Sequence, residues 1–425
     1  MEMVKRVAMI SFHTCPLAPL GGKETGGMNV YIKELSRELG RRGIAVDVFT
    51  RLQDPAIPRI VHLGKKARII HLKAGPEAPY NKNQLWKYLP QFLSGIIKFA
   101  EDEKITYSLI HCHYWLSGEV GVKLRERWKI PLVQMFHTLG HPQNAVIKRS
   151  REKAPDVRLE IERRIMNSAN RIIAASLTEK AQMIWYYGAK PEGIEVIPCG
   201  VDVNLFKPIP PSEAKTYLGL PSQQKLILFV GRIISVKGID ILLKAMALVM
   251  RDLQREKGDV RLFIIGGRNN ANSSGDEMVN LRNLASTLGL NGLITFIGPQ
   301  RQHMLPYFYS ASDVCVFPSR YESFGMVALE AMACGTPVIA SKVGGFSFTV
   351  QDGITGFLVP EETPEILAQK IKVLLMDQDL RQKLGSHAHL RAKGFRWSVI
   401  ADHIVSLYNT LIISPDENRK LSVCT

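Results

Sequence analysis

Two glutamates eight positions apart, Glu322 and Glu330, lie in the segment Pro318-Ser319-Arg320-Tyr321-Glu322-Ser323-Phe324-Gly325-Met326-Val327-Ala328-Leu329-Glu330-Ala331-Met332-Ala333-Cys334-Gly335. A loop ends at Ser323 to Gly325, a helix runs to a Gly335 cap, and Pro337 opens the next strand. Glu322 then precedes the helix and Glu330 sits about two turns into it, so both carboxylates can face one ligand from different depths. A lone pair at this spacing is ordinarily a solvated surface feature. Here Glu330 is surrounded by an apolar helix rich in Met and Ala, and a carboxylate on a buried face needs a partner.

A second signal, Phe229-Val230-Gly231-Arg232-Ile233-Ile234-Ser235-Val236-Lys237-Gly238, sits just beyond an apolar run. Arg232 offers a fixed fork of donors and Lys237 a point charge, and cations at this spacing can converge on a diphosphate without a metal. The third signal is the early loop Gly21-Gly22-Lys23-Glu24-Thr25-Gly26-Gly27-Met28-Asn29, which leads into a helix with apolar Ile32, Leu35 and Leu39. It aims backbone N–H groups and a helix N-terminus at a ligand, which favours an anion. The loop matches neither a nicotinamide fingerprint nor a P-loop. The second strand ends Val48-Phe49-Thr50-Arg51, without the acidic residue that a dehydrogenase places there.

The elements that must hold these loops alternate along the whole chain. Strands are expected at Val7 to Ser11, Ala45 to Thr50, Ala67 to Leu72, Leu109 to His113, Pro131 to Phe136, Arg171 to Ala175 and Ile194 to Ile197. Helical periods at Asn29 to Arg42, Gln84 to Glu101 and Arg158 to Ala169 separate them. After the proline-rich Phe206 to Pro211 the order restarts, with strands at Leu226 to Val230, Arg261 to Ile265, Leu293 to Phe296, Val314 to Pro318 and Pro337 to Ala340. This is an α/β pattern of two doubly wound, Rossmann-like domains, 1–205 and 206–395, expected to face each other across a cleft that holds the site. Residues 396–425 supply a terminal helix, Trp397 to Ile412, expected to cross back to the first domain, and a tail from Ser414 expected to fray.

Composition narrows the class. With 425 residues, 46% apolar and 22% charged, the chain is long enough for two or three domains and is ordinary for a soluble protein. The apolar run near the start is too short for a signal sequence and reads as a buried strand, which predicts a cytoplasmic protein. Six scattered cysteines without CxxC spacing fit reduced thiols. His111-Cys112-His113 lacks a second ligand pair, so no metal site is expected there. The net charge of +16 divides unevenly: residues 1–205 hold 31 Lys+Arg against 20 Asp+Glu, a balance of +11, and the rest 24 against 19, or +5. No basic run interleaved with aromatics appears, so neither nucleic acid nor an integral membrane contact is expected.

Taken together, Glu322-x7-Glu330 with Ser323-Phe324-Gly325, the Gly231-Arg232…Lys237-Gly238 loop, Pro198-Cys199-Gly200-Val201-Asp202 and the early glycine loop resemble the retaining glycosyltransferases of family 4, which have the GT-B fold. The resemblance spans nearly the whole chain. Its first domain looks most like those members that make sucrose phosphate or glycosylate inositol phosphate. The resemblance implies that Arg232 and Lys237 hold a donor diphosphate, that Glu330 takes the ribose hydroxyls, and that Glu322, Phe324 and Gly325 contact the sugar with Ser323 near the phosphates. It likewise implies donor contacts at Gly27, Met326, Val327 and Pro299, the last within Phe296 to Gln300, where the family binds the base through backbone groups. His137 matches the family histidine beside the sugar ring. For the acceptor and its phosphate the matching positions are Gly26, Gly27, Asn29, Lys82, Tyr114, Thr138 and Arg158.

A retaining glycosidase would need two carboxylates about 5 Å apart flanking the bond, and no such pair is evident. The expected chemistry is loss of UDP from the donor, steadied by Arg232, Lys237 and the helix end at Ser323 to Gly325, and attack on the same face. No cofactor or divalent metal is called for. The resemblance favours UDP-glucose and fructose 6-phosphate giving sucrose 6-phosphate, with UDP-N-acetylglucosamine and inositol phosphate as the alternative. Met28-Asn29 after the glycines departs from many sucrose-phosphate enzymes and points to that alternative. A basic nucleic-acid or membrane-surface binding protein is the reading from another class, and it gives no reason for Arg232, Lys237 and the two glutamates to occur together. The sequence leaves the oligomeric state open.

Overall fold

The computed structural model describes residues 3–20, 25–147, 153–253, 260–267 and 277–413. The chain divides into two compact units, Met1–Ala18 with Gly27–Pro198 and Trp397–Thr425, and Pro19–Gly26 with Cys199–Arg396. The division falls at Pro198, ahead of the proline-rich segment, and the tail from Ser414 lies outside the described residues.

The first unit is built on strands β1 (Arg6–Ile10), β2 (Ala45–Arg51), β3 (Ile60–Gly64), β4 (Ala67–Leu72), β5 (Leu109–His113), β6 (Leu132–Met135), β7 (Arg171–Ala174) and β8 (Ile194–Val196). They lie in the order β3-β4-β2-β1-β5-β6-β7-β8, every pair parallel except β3 with β4. The inner strands are buried along almost their whole length, as helices on both faces of a parallel sheet require. From β1 the chain steps outward through β2 and then returns to the other side of β1 at β5. Ligands of such sheets bind outside the strand ends at this reversal.

Two features of the first unit depart from the sequence pattern. The helix expected from Gln84 is a 3₁₀ turn, Lys82–Tyr88, followed by a separate helix, Leu89–Asp102, with Pro90 in its first turn. A proline has no N–H to continue the hydrogen-bond ladder and disfavours helical geometry in the residue before it, so the segment breaks there. The short edge strand β3 was not expected, because its half-exposed residues carry no continuous apolar run.

The terminal helix Trp397–Ile413 buries Trp397, Ile400, Ala401, Ile404 and Tyr408, one stripe at helical spacing. It packs on helix Gly27–Arg41. The Trp397 ring meets Tyr31 edge-on at 5.4 Å, and Arg42 donates to the Ser398 carbonyl at 2.6 Å and pairs with Asp402 at 2.8 Å.

The second unit contains β9 (Lys225–Val230), β10 (Val260–Ile265), β11 (Ile294–Gly298), β12 (Val314–Phe317), β13 (Val338–Ser341) and β14 (Gly356–Val359), in the order β11-β10-β9-β12-β13-β14 and parallel throughout. Its reversal lies between β9 and β12. Gly238, at φ +65°, follows β9 so closely to β12 that a Cβ would lie 1.9 Å from the Pro318 carbonyl oxygen, which restricts this position to glycine.

Within the first unit Asp47, on β2, is 1% exposed and accepts from Arg6 at 2.9 Å, Arg68 at 2.7 Å and the Tyr107 hydroxyl at 2.8 Å. Removing the carboxylate strands two guanidinium groups beside a buried hydroxyl. Asp47→Ala is expected to cost about 3 kcal/mol, somewhat less than a fully buried pair because both arginines retain solvent. Urea unfolding checks this, and a shift worth under about 1 kcal/mol would show that water replaces the carboxylate.

Candidate active site

Each unit carries a polar cluster at its own reversal point. In the second unit, the loop after β9 presents Arg232 and, from the 3₁₀ turn Ser235–Lys237, Lys237. The loop after β12 presents Glu322 and Ser323 before helix Met326–Ala333. Lys237 Nζ lies 2.5 Å from Glu322 Oε2, and both side chains keep some solvent access. The ammonium engages one oxygen of the Glu322 carboxylate and balances its charge, which blunts it as a nucleophile.

Arg320 ties the two loops together. Its guanidinium grips Asp240 through two hydrogen bonds of 2.9 and 2.8 Å and donates to the Ser235 carbonyl at 2.7 Å. Its backbone N–H donates to the Val236 carbonyl at 2.8 Å. The loop after β13 closes the other side: the Gly345 N–H donates to the Glu322 carbonyl at 3.0 Å, and a Cβ on Gly344 would lie 1.8 Å from that oxygen.

Gly325, at φ +89°, turns the chain into helix Met326–Ala333, and a side chain there would strike the Phe346 ring at 2.4 Å. Met326 and Val327 form the first turn, whose amides have no partner inside the helix and offer an anion site. The Phe324 ring is 3% exposed and packs with Phe348 and Phe395, so this residue offers a substrate its backbone rather than its ring. Glu330 is 7% exposed and accepts from the Tyr309 hydroxyl at 2.9 Å. Burial pushes its carboxyl up to about 7, with the Tyr309 hydrogen bond opposing the shift. Pro299 stands exposed just past β11, after Gly298, whose carbonyl accepts from the Gly266 N–H at 3.0 Å.

The first unit gathers a separate basic cluster. Tyr114 follows β5 at φ +75° and His137 follows β6 at φ +61°, a backbone region that residues with side chains rarely occupy and that concentrates at functional sites. Arg158, from helix Asp156–Ser168, donates to the Thr138 carbonyl at 2.8 Å and hydroxyl at 3.2 Å, and its guanidinium lies 5.0 Å over the Tyr114 ring. It is 3% exposed and pairs with Glu162 at 2.7 Å. Glu162 also accepts from the Gly140 N–H at 3.0 Å and from the Tyr187 hydroxyl, so the pair anchors the loop from Thr138 to Gly140.

Lys82 opens the 3₁₀ turn, where the Asn81 side chain caps the Asn83 N–H. Its place in the cluster is marked by His13, whose ring lies tilted against Tyr114 at 4.4 Å. Burial, then the charge of Lys82, then His137 and Arg158 hold His13 well below the ordinary imidazole range. Three basic groups thus act on one ring. Asn29 lies in the first turn of helix Gly27–Arg41 and is buried; its amide donates to Thr14 Oγ1 at 2.9 Å and to the Cys15 carbonyl at 2.8 Å, securing the loop after β1. Gly26 is half-buried and Gly27 exposed, while Gly21, Gly22, Lys23 and Glu24 lie outside the described residues.

Sequence reasoning did not single out His13, Tyr309, Glu162, Arg320 or Gly344. Arg320 and Tyr309 sit inside or near the quoted motifs, but their partners are remote in sequence. His13 carried one usable signal, its position just past the first strand. His111 and His113 are spoken for within the first unit: His111 Nδ1 lies 2.7 Å from the Tyr408 hydroxyl and His113 Nδ1 lies 2.9 Å from His137 Nε2. Among the described residues no group of three or more His, Cys, Asp or Glu side chains is placed to hold a metal ion, and no helix is long and apolar enough to cross a membrane.

Comparison with known proteins adds an independent line. Residues 25–205 match the sequence family described as Glycosyltransferase Family 4 and residues 212–391 the family described as Glycosyl transferases group 1. The D-inositol 3-phosphate glycosyltransferase of Corynebacterium glutamicum is 38% identical over 411 residues, 96% of this chain and 97% of that protein. The structure of sucrose-phosphate synthase from Thermosynechococcus elongatus superposes with a TM-score of 0.88 at 35% identity, covering 96% of this chain and all of that one. Anabaena HepE, solved with UDP and glucose, shares the fold at a TM-score of 0.74 and 21% identity over 96% of this chain and all of that one. Two Rossmann-like units, each matched by its own glycosyltransferase family model and aligned nearly end to end with such relatives, establish that the chain belongs to the family 4 glycosyltransferases of GT-B fold.

Proposed function

We propose that this glycosyltransferase moves a sugar from a UDP-sugar to a phosphorylated cyclic acceptor, with retention at the anomeric carbon and without a divalent metal. One observation carries the reading: each unit holds a pair of cations near its reversal point, Arg232 and Lys237 in the second and Lys82 and the Glu162-paired Arg158 in the first. A donor diphosphate accounts for one. The other fits a phosphoester on the acceptor, with Thr138 and Tyr114 beside it.

On this reading Arg232 and Lys237 take the diphosphate, and the amides of Ser323 to Val327 add a helix end that steadies its growing charge as the bond to the sugar breaks. Glu330 accepts the ribose hydroxyls, Glu322 a sugar hydroxyl, His137 lies beside the sugar ring, and the backbone around Pro299 meets the base. With Glu322 held in an ion pair by Lys237, no carboxylate serves as a nucleophile; the departing phosphate takes the acceptor proton, and the acceptor attacks the face the phosphate leaves. Positive side chains and amides supply the charge that a metal would otherwise bring.

We place inositol phosphate first as acceptor, with UDP-N-acetylglucosamine as donor. This reverses the order suggested by the sequence alone. It is supported by relatives named for D-inositol 3-phosphate at 37 to 38% identity and by Met28-Asn29 after the glycines. Fructose 6-phosphate with UDP-glucose is the second reading, favoured by the 35% identical sucrose-phosphate synthase.

A screen of nucleotide sugars against inositol 3-phosphate, fructose 6-phosphate and their dephosphorylated forms, read by released nucleotide, tests this directly. Equal turnover of phosphorylated and unphosphorylated acceptors would overturn it. The anomeric configuration of the product, read by NMR, tests retention, and activity should survive EDTA. Lys82→Ala should raise the acceptor KM by about 10-fold or more, the size of a lost charge-assisted hydrogen bond, and leave the donor KM within about twofold. An equal rise in both would remove Lys82 from the acceptor site. Because Glu330 titrates near 7 and its ionised form is the better acceptor of hydroxyls, UDP-sugar affinity should increase as the pH rises from 6 to 8. Calorimetric titration should show this slope in the wild type and a flat profile in Glu330→Gln.

A further inference from the structure

His137 does not stand alone in the first unit. It follows β6, and its Nε2 lies 2.9 Å from Nδ1 of His113, the last residue of β5. His113 is fully buried, so a substrate cannot touch it. The His111 ring lies 4.3 Å from His113, and the Tyr31 ring stands edge-on to both His113 at 5.6 Å and His137 at 5.2 Å. His111 is fixed in turn by the Tyr408 hydroxyl on the terminal helix, at 2.7 Å from Nδ1.

The hydrogen bond between two imidazoles has a direction, and the surroundings select it. Burial holds His113 and His137 well below the ordinary imidazole range, His137 at about 3, so both rings are neutral and each carries one proton. Among the described residues His113 Nε2 is buried without a hydrogen-bond partner. If His137 donated from Nε2, the His113 proton would sit on that Nε2 as a buried, unpaired N–H, a rare and costly arrangement. If His113 donates from Nδ1, its Nε2 is an unprotonated lone pair and the His137 proton moves to Nδ1. Which ring nitrogen carries the proton is set by the bond the other makes.

We propose that His113 is a positioning residue for the transfer reaction: by donating from Nδ1 to His137 Nε2 it fixes the ring and tautomer of His137, leaving His137 Nδ1–H as the donor offered to a substrate hydroxyl. This rests on the reading that His137 lies beside the sugar ring. It also gives the terminal helix a task, since Tyr408 holds His111, whose ring lies tilted against that of His113. The proposal concerns which atom bears a proton, and no bond other than hydrogen bonds is made or broken.

His113→Asn keeps an N–H donor near the position of Nδ1, whereas His113→Leu keeps bulk and loses the donor. His113→Leu should lower kcat about 10- to 100-fold, with both KM values within about threefold, and His113→Asn should recover most of the loss. The double variant His113→Leu/His137→Ala should be no slower than His137→Ala alone, because the effect passes through His137. Equal loss in the Leu and Asn variants, wild-type kcat in His113→Leu, or additive losses in the double variant would each overturn the proposal. His137→Ala scores the underlying reading separately: wild-type kcat there would remove His137 from the sugar site. Long-range proton–nitrogen NMR correlations on the wild-type histidines decide the tautomer whether or not the variants fold. A proton on His137 Nδ1 is expected, and one on Nε2 sinks the proposal.

Discussion

A parallel strand delivers the chain and its next backbone amides to one edge of the sheet, and a doubly wound sheet reverses its strand order once along that edge. Where it reverses, the loops after two adjacent strands diverge and leave room for a ligand. The polar clusters of this protein grow from that constraint. In the second unit the diverging loops follow β9 and β12 and carry Arg232, Lys237 and Glu322; in the first they follow β1 and β5 and carry His13 and Tyr114. The helix ends and side chains added around them refine a location that sheet topology had already chosen.

Electrostatics then separates roles among residues that look alike in sequence. Lys82 and Arg158 are both cations of the basic half, but Arg158 is buried against Glu162 and braces the Thr138 loop while Lys82 keeps solvent. The two glutamates of the Glu322-x7-Glu330 motif differ as sharply. Glu322 has an ammonium partner and stays partly accessible, whereas Glu330 has only a phenol and is pushed toward neutrality by burial. Equal spacing in the sequence hides unequal desolvation.

The architecture was legible because parallel strands buried on both faces read as continuous apolar runs, and such runs mark twelve of the strands in the right order. The edge strands β3 and β14 were not legible, nor was the break at Pro90 within an apparently uniform helical period. Among candidate site residues, spacing and chemistry singled out Arg232, Lys237, Glu322 and Glu330. They could not reveal that the Phe324 ring turns into the core, that the Asn29 amide is used on Thr14 and Cys15, or that Arg320 and His113 brace their neighbours. Each of these depends on a partner brought close only by folding.

The clamp at Arg320 makes two segments, distant along the chain, mechanically one. The turn bearing Lys237 and the loop bearing Glu322 are joined by a side-chain fork, a backbone bridge and an ion pair, so neither can shift without dragging the other. A pull exerted on the cation by a ligand is therefore felt by the carboxylate as a displacement, and the second unit meets its ligand with a single stiff plate instead of two independent fingers.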